Sequence, residues 1–255
     1  MMRGTSVGTR HHDPVLTDLE RGCIMKIIGL IGGMSWESSL EYYRIINEEV
    51  RNKLGGFHSA KCIMYSVDFA EIEVLQHRGE WSETARILSR AAQSLEAAGA
   101  DFLVLCTNTM HKVVPEIEAA VRIPLLHIAD STAERIKSQG FKKTGLLGTR
   151  FTMEEDFYRG RLEKKHGLEV IVPEKADRET VHRVIYHELV DGRLKDESRR
   201  KFAAAIERLA QAGAEAVILG CTEIGLLVKE KDSALPIFDT TRIHAEAAVE
   251  WALKD

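Results

Sequence analysis

Two short stretches of the chain, LCTNTMH at residues 105–111 and LGCTEIG at residues 219–225, each set a thiol or hydroxyl beside hydrogen-bonding side chains just after an apolar run. Cys221 is the residue best suited to chemistry. It lies where a buried strand passes into the next helix, and backbone N–H groups there favour an anion. That placement predicts a reactive thiol with a pKa below its ordinary value of about 8.5. The bland alternative is an inert packed cysteine. Asn108, Thr109, Thr222 and Glu223 follow the two key positions. They can cap helix N-termini, or offer donors and acceptors to the carboxylate and ammonium groups of a small ligand.

The residue that faces Cys221 is identified by the chain itself. SLEAAGADFLVLCTN, from Ser94, matches RLAQAGAEAVILGCT, from Arg208. With Ala98 on Ala212 and no gap, Cys106 falls on Gly220 and Thr107 on Cys221. Successive side chains of a strand face opposite ways, so Cys106 and Thr107 do not both address one site. Cys106 is read as a small apolar residue closing a strand, and Thr107 as the partner of Cys221.

The elements that carry these loops are also repeated. KIIGLIGGMSWESSLEYY, from Lys26, and KKTGLLGTRFTMEEDFY, from Lys142, are both an apolar run, a glycine turn and a helical pattern. Their superposition puts Gly29 on Gly145, Gly32 on Gly148 and Tyr42 on Tyr158. Ile123-Pro124-Leu125 and Leu235-Pro236-Ile237 open a further short strand in each half. The fold class expected is α/β: two similar domains, each a short parallel sheet flanked by helices, related by a pseudo-twofold axis with the site between them. Residues 25–128 form the first, joined by a C-terminal helix within 240–255 with apolar residues at Ile243, Ala247, Ala248 and Trp251; residues 129–239 form the second. Loops beyond the carboxyl ends of parallel strands bind ligands, and facing domains bring Thr107 and Cys221 to one ligand from opposite sides. Inversion of a tetrahedral carbon requires that arrangement.

Composition excludes several other classes. The chain has 255 residues, 44% of them hydrophobic, and a net charge of -4 with both signs interspersed. Nothing in it suggests a surface for nucleic acid or a polybasic membrane patch. Its apolar runs are strand-sized, far below the roughly 18 to 20 residues of a membrane span. Cys23, Cys62, Cys106 and Cys221 show no CxxC pairing, which suits a reducing, cytoplasmic setting. Residues 1–24 lack the apolar core of a signal peptide and are read as an N-terminal extension, with Met25 as the natural start. GLIGGMS lacks both GxGxxG and Gly-Lys-Ser/Thr, so it reads as a tight turn or a close approach to a small ligand. His187-Glu188-Leu189-Val190-Asp191 is not HExxH, and no metal is expected.

GGMS, the Asn-Thr after Thr107 and Gly-Cys-Thr-Glu at residues 220–223 together resemble the aspartate/glutamate racemase superfamily, and the likeness runs over Met25–Asp255. The resemblance implies a cofactor-independent racemase with one base per domain at the α-carbon of an amino acid. The family places a cysteine at each position; here Thr107 stands for the first, which is similar to the threonine-bearing branch acting on aspartate and glutamate. That branch implies Thr107 and Cys221 as the catalytic pair, Met34, Gln76, Asn108, Thr109, Thr222 and Glu223 as substrate contacts, and the L-enantiomer as the one Cys221 serves. A lysine of related aspartate racemases falls near Thr180 here, so Arg178 or Arg183 is the candidate to hold the substrate's side-chain carboxylate. A homodimer is expected by analogy with similar folds. A single-thiol decarboxylase or cis-trans isomerase of a small dicarboxylic acid, and a binding protein that has lost one base, remain as alternatives.

Overall fold

The computed structural model describes residues 25–254. Its first half holds β1 (Ile28–Gly32), β2 (Cys62–Ser66), β3 (Phe102–Leu105) and β4 (Leu125–Leu126), all parallel, in the order β2-β1-β3-β4. Its second half holds β5 (Lys143–Gly148), β6 (Glu169–Ile171), β7 (Ala216–Gly220) and β8 (Ile237–Asp239), again parallel, in the order β6-β5-β7-β8. The two sheets are the same sheet drawn twice, which is the fold class the repeat implies.

The connecting helices are α1 (Trp36–Leu54), α2 (Phe69–Arg78), α3 (Trp81–Ala97), α4 (Val114–Ala120) and α5 (Ile128–Ser138). They are followed by α6 (Arg150–Glu154), α7 (Arg159–His166), α8 (Lys175–Val184), α9 (Asp196–Gln211), α10 (Ile224–Leu227) and α11 (Thr240–Ala252). Strands covered on both faces should read as continuous apolar runs, and β1, IGLIG, is buried throughout. Within it the side chains alternate. Ile28 and Leu30, with Phe102, Val104 and Cys106, pack against Tyr42, Ile45 and Ile46 of α1. Ile31, with Leu103 and Leu105, packs against Leu88 and Ala92 of α3. This period of two sets Cys106 in the α1 layer.

Helix α11 crosses back to that layer. Asp239 caps it by accepting from the Thr241 and Arg242 backbone N–H groups. Its Ala245, Ala248, Val249 and Ala252 join the first-half core. Trp251 stacks on Phe102 at a ring separation of 5.1 Å, and His244 Nδ1 accepts from the Tyr42 hydroxyl at 2.8 Å. The second-half core is centred on Leu146, Leu147, Ile218, Leu219, Phe202 and Ile206.

At Gly33 the turn requires glycine. Its φ is +93°, a region open to glycine, and an added Cβ would lie 2.2 Å from the Val67 carbonyl oxygen. GLIGGMS is therefore a tight turn against the β2–α2 loop.

Candidate active site

The strand ladder settles the alignment of the two loops. Ile31 pairs with Leu105 and Leu147 pairs with Leu219. Because Ile31 and Leu147 are repeat partners, Leu105 corresponds to Leu219, Cys106 to Gly220 and Thr107 to Cys221. Thr107 and Cys221 stand two residues beyond those paired leucines, at equivalent carboxyl ends of the two central strands.

Both line one cavity. Met34, Gln76, Asn108, Thr109, Thr222 and Glu223 line it too, so all eight residues singled out from the sequence converge there. Cys106 does not. It is fully buried in the α1 layer, and burial pushes its thiol pKa far up.

Glu223 organises the second-half side of the cavity. Its carboxylate accepts from the Cys221 thiol at 3.0 Å and the Thr222 hydroxyl at 2.8 Å, both on Oε2. Its Oε1 accepts from Ser35 Oγ, in the first half, at 2.8 Å. The expected low thiol pKa is not found. Burial, then the adjacent Glu223 carboxylate, raise the Cys221 pKa well above its ordinary value. The Glu223 and Ile224 backbone N–H groups act in the opposite direction and are outweighed. The helix behind them, α10, is only four residues long and offers little dipole. Cys221 is thus a thiol hydrogen-bonded to a carboxylate, which can take its proton.

The capping roles are also corrected. Asn108 and Glu223 precede short helical turns, but neither side chain caps one. Instead Asn108 Nδ2 donates to Thr240 Oγ1 at 3.0 Å, and Thr240 in turn donates to the Leu219 carbonyl at 2.8 Å. Thr109 Oγ1 and Thr149 Oγ1 lie 3.0 Å apart, across the two halves. Among the described residues, the buried Asn108 Oδ1 is left without a partner. A buried acceptor on a cavity wall suits an N–H donor from a ligand.

Five lining residues escaped the sequence reading: Phe69, Thr149, Ile185, Tyr186 and Val190. Thr149 had a signal, because it follows Gly148 as Gly33 follows Gly32. Ile185 and Tyr186 come from a single π-helical turn, Ile185–Leu189, an irregularity that sequence period does not reveal. The Tyr186 hydroxyl donates to Gln76 Oε1 at 2.8 Å, a further direct tie between the halves. Arg178 and Arg183 are not at the cavity. Arg178 donates to Glu154 at 2.7 Å and to the Pro173 carbonyl at 2.8 Å, and Arg183 points to solvent. No lysine or arginine is among the described residues that line the cavity.

Behind Thr107 lies a further residue the reading missed. His111 Nε2 accepts from the Ile128 N–H at 3.2 Å, which leaves Nδ1–H to donate to the Thr107 carbonyl at 2.7 Å. Its ring meets those of His127 and His244 at 4.5 and 5.9 Å. Burial holds all three below the ordinary histidine pKa, His127 at about 3 and His244 at about 4. They form a neutral, packed support for the first-half loop.

Among the described residues no group of three or more His, Cys, Asp or Glu is placed to hold a metal ion, and no helix is long and apolar enough to cross a membrane. The family model for Asp/Glu/hydantoin racemase matches residues 31–248. A solved candidate Asp/Glu racemase from Yersinia pestis is 59% identical, with 90% of this chain and 100% of that chain covered and a TM-score of 0.84. An aspartate racemase homologue from Pyrococcus horikoshii OT3 is 38% identical over 90% of this chain and 100% of that one, with a TM-score of 0.78. A broad specificity amino-acid racemase from Bacillus subtilis (strain 168) is 28% identical over 176 residues, 67% of this chain and 73% of that protein.

Proposed function

Since the chain belongs to the Asp/Glu/hydantoin racemase family and is an isomerase acting on a small amino acid, we propose that it inverts the α-carbon of aspartate or glutamate by two-base proton transfer. The reaction is read as cofactor-independent and cytoplasmic, with the L-enantiomer favoured. The observation that carries this is the placement of Thr107 and Cys221 at equivalent strand ends on the wall of one cavity.

Glu223 takes the proton of the Cys221 thiol across their 3.0 Å hydrogen bond. The thiolate then removes the α-proton of the L-substrate, and the electron pair passes onto the substrate carboxylate as an enediolate. Thr109, Thr222 and nearby backbone N–H groups stabilise that charge, an effect worth several kcal/mol in oxyanion-type sites. Asn108 Oδ1 accepts from the ammonium group. Thr107 delivers a proton to the opposite face, directly or through a water, and solvent returns one to its oxygen. The two faces are chemically unequal, because a threonine hydroxyl has no ionised population comparable to a thiol's.

Proton NMR with L-aspartate and L-glutamate in D2O, no cofactor added, tests the reading. Loss of α-hydrogen exchange in Cys221→Ser but not in Cys106→Ser supports it. If the parent protein exchanges neither these substrates nor a neutral amino acid, the choice passes to the single-thiol decarboxylase and isomerase readings or to a binding protein.

A second reading concerns the side chain. A wall of Phe69, Ile185 and Val190 with no lysine or arginine favours a small neutral amino acid over a dicarboxylic one. L-alanine, L-methionine and L-homoserine in the same experiment separate the two, since only the neutral pocket exchanges them faster than aspartate.

A further inference from the structure

Two hydrogen bonds cross between the halves from corresponding places in the repeat. Thr149 caps α6 by accepting from the Thr152 N–H at 3.3 Å, and its hydroxyl lies 3.0 Å from that of Thr109, the third residue of the first-half loop. Ser35 caps α1 by accepting from the Ser38 N–H at 3.4 Å. Its hydroxyl donates at 2.8 Å to Oε1 of Glu223, the third residue of the second-half loop. In each direction the residue that opens the helix after a half's first strand holds the loop of the other half. The chemistry differs, since one tie joins two hydroxyls and the other ends on a carboxylate.

Ser35 does not line the cavity. It is buried against Glu223, and its own place is set by the first half, where the Ser38 and Ser39 hydroxyls each donate to its carbonyl at 3.0 Å. Ser38 is itself tied to the first-half loop through the Cys106 carbonyl at 3.4 Å. The two oxygens of Glu223 thus have separate partners: Oε1 has Ser35, and Oε2 has Cys221 and Thr222. A glutamate side chain is long and rotatable, and a buried carboxylate turns to satisfy both of its oxygens. With Oε1 fixed from the opposite half, Oε2 is directed onto the sulfur. Without that bond the carboxylate is free to turn away.

We propose that Ser35 is a positioning residue that acts through Glu223: its hydroxyl holds the carboxylate against the Cys221 thiol, so that the proton acceptor of one half is set in place by the other. The inference rests on Glu223 being the acceptor of the thiol proton, and it concerns the thiol before any substrate is bound. Ser35 variants should then behave as weakened forms of Glu223→Gln. After burial, the carboxylate is what raises the thiol pKa, so its displacement lowers that pKa and slows proton removal together. A residue that only caps α1 would change stability and neither of these. The remaining titratable side chain on the cavity, Tyr186, is held well above its ordinary pKa by burial and stays neutral near pH 8, so thiol reactivity there reports on Glu223.

The test compares Ser35→Ala and Ser35→Gly in the full chain, each alone and with Glu223→Gln, after circular dichroism has verified folding. Glycine is tolerated at an N-cap and alanine is not, so a capping role would separate the two variants whereas a positioning role moves them alike. Iodoacetamide labelling at about pH 8, read on the Cys221 peptide by mass spectrometry, needs no substrate. Labelling should quicken at least about 3-fold in both variants, the result of a pKa lowered by about one unit. With Glu223→Gln in place, neither substitution should add to it, whereas a wider opening of the cavity would quicken labelling there too. Proton NMR in D2O, with the L-amino acid that the parent exchanges fastest, should show exchange slowed about 10- to 100-fold at saturation. KM should be nearly unchanged, because Ser35 does not touch the cavity. Parental labelling in Ser35→Gly overturns the proposal, and so does labelling that quickens equally in the Glu223→Gln background. Parental exchange in both variants overturns it as well. If labelling changes as expected but the parent exchanges no amino acid, the racemase reading fails and the role of Ser35 stands.

Discussion

Replacing Glu223 by glutamine should make Cys221 a better nucleophile and a worse catalyst. The carboxylate accepts the thiol's hydrogen bond at 3.0 Å and, after burial, is the main cause of the raised thiol pKa. A neutral amide leaves the burial in place but removes the charge. A neighbouring charge at this distance typically shifts a pKa by about 1 to 3 units. Thiolate population gains tenfold per unit while intrinsic nucleophilicity falls with a Brønsted slope near 0.4 to 0.5, so alkylation should quicken about 4- to 50-fold overall. Proton transfer changes in the other direction, because the group that receives the thiol proton is gone. A positioned base contributes about 10² to 10⁴-fold, and α-hydrogen exchange should fall within that range. Iodoacetamide labelling followed by intact mass, at pH 7.5 and with Cys106 as the buried internal control, measures the first quantity. Proton NMR in D2O measures the second. Exchange at the parental rate in Glu223→Gln would refute the role of Glu223 as proton acceptor, and slower alkylation would refute its electrostatic effect on the thiol.

Cys106→Ser should retain exchange but lose about 1–3 kcal/mol of stability in urea, since a hydroxyl is placed in a fully buried apolar layer. The buried histidines give a pH dependence of stability. Their folded pKa values lie below the unfolded value of about 6.5, so as pH falls beneath 6.5 the unfolded chain binds protons that the folded one refuses, and stability drops by about 1.4 kcal/mol per unit for each ring. His127→Asn keeps an N-cap acceptor for Ala129 and removes one such ring, so the urea midpoint measured from pH 6.5 to 4.5 should fall less steeply by one proton. Tyr186→Phe leaves Gln76 Oε1 without its donor and should cost about 1–3 kcal/mol in the same assay.

The α/β class and the pairing of Thr107 with Cys221 were legible because duplication supplies an alignment that needs no other sequence. Asn108, Thr109 and Thr222 could be placed beside the key positions from their loops, whereas Met34 and Gln76 were legible only through the family resemblance. What the sequence hid is of two kinds. Ile185 and Tyr186 reach the cavity through an irregular turn, and Phe69 through a helix whose rotation only packing fixes. The thiol's electrostatics were misjudged because the sequence shows Glu223 two residues after Cys221 but not that its carboxylate turns back onto the sulfur. A backbone N–H effect and a buried carboxylate oppose each other there, and only distance decides between them.

The same duplication explains why the halves were free to diverge. Each half supplies one strand-end residue to the cavity, and the fold asks only that the position be small enough to sit beyond a buried strand. At the second-half position the chain keeps a sulfur with a carboxylate 3.0 Å away; at the first it keeps a hydroxyl held from behind by His111 through the Thr107 carbonyl. The support is a carboxylate beside the sulfur on one side and a hydrogen bond to the backbone carbonyl on the other. A thiol needs a proton acceptor before it can act on carbon, whereas a hydroxyl that only returns a proton needs a fixed direction and a route to solvent. On the two-base reading proposed above, unequal surroundings for equivalent positions suit two different proton-transfer roles.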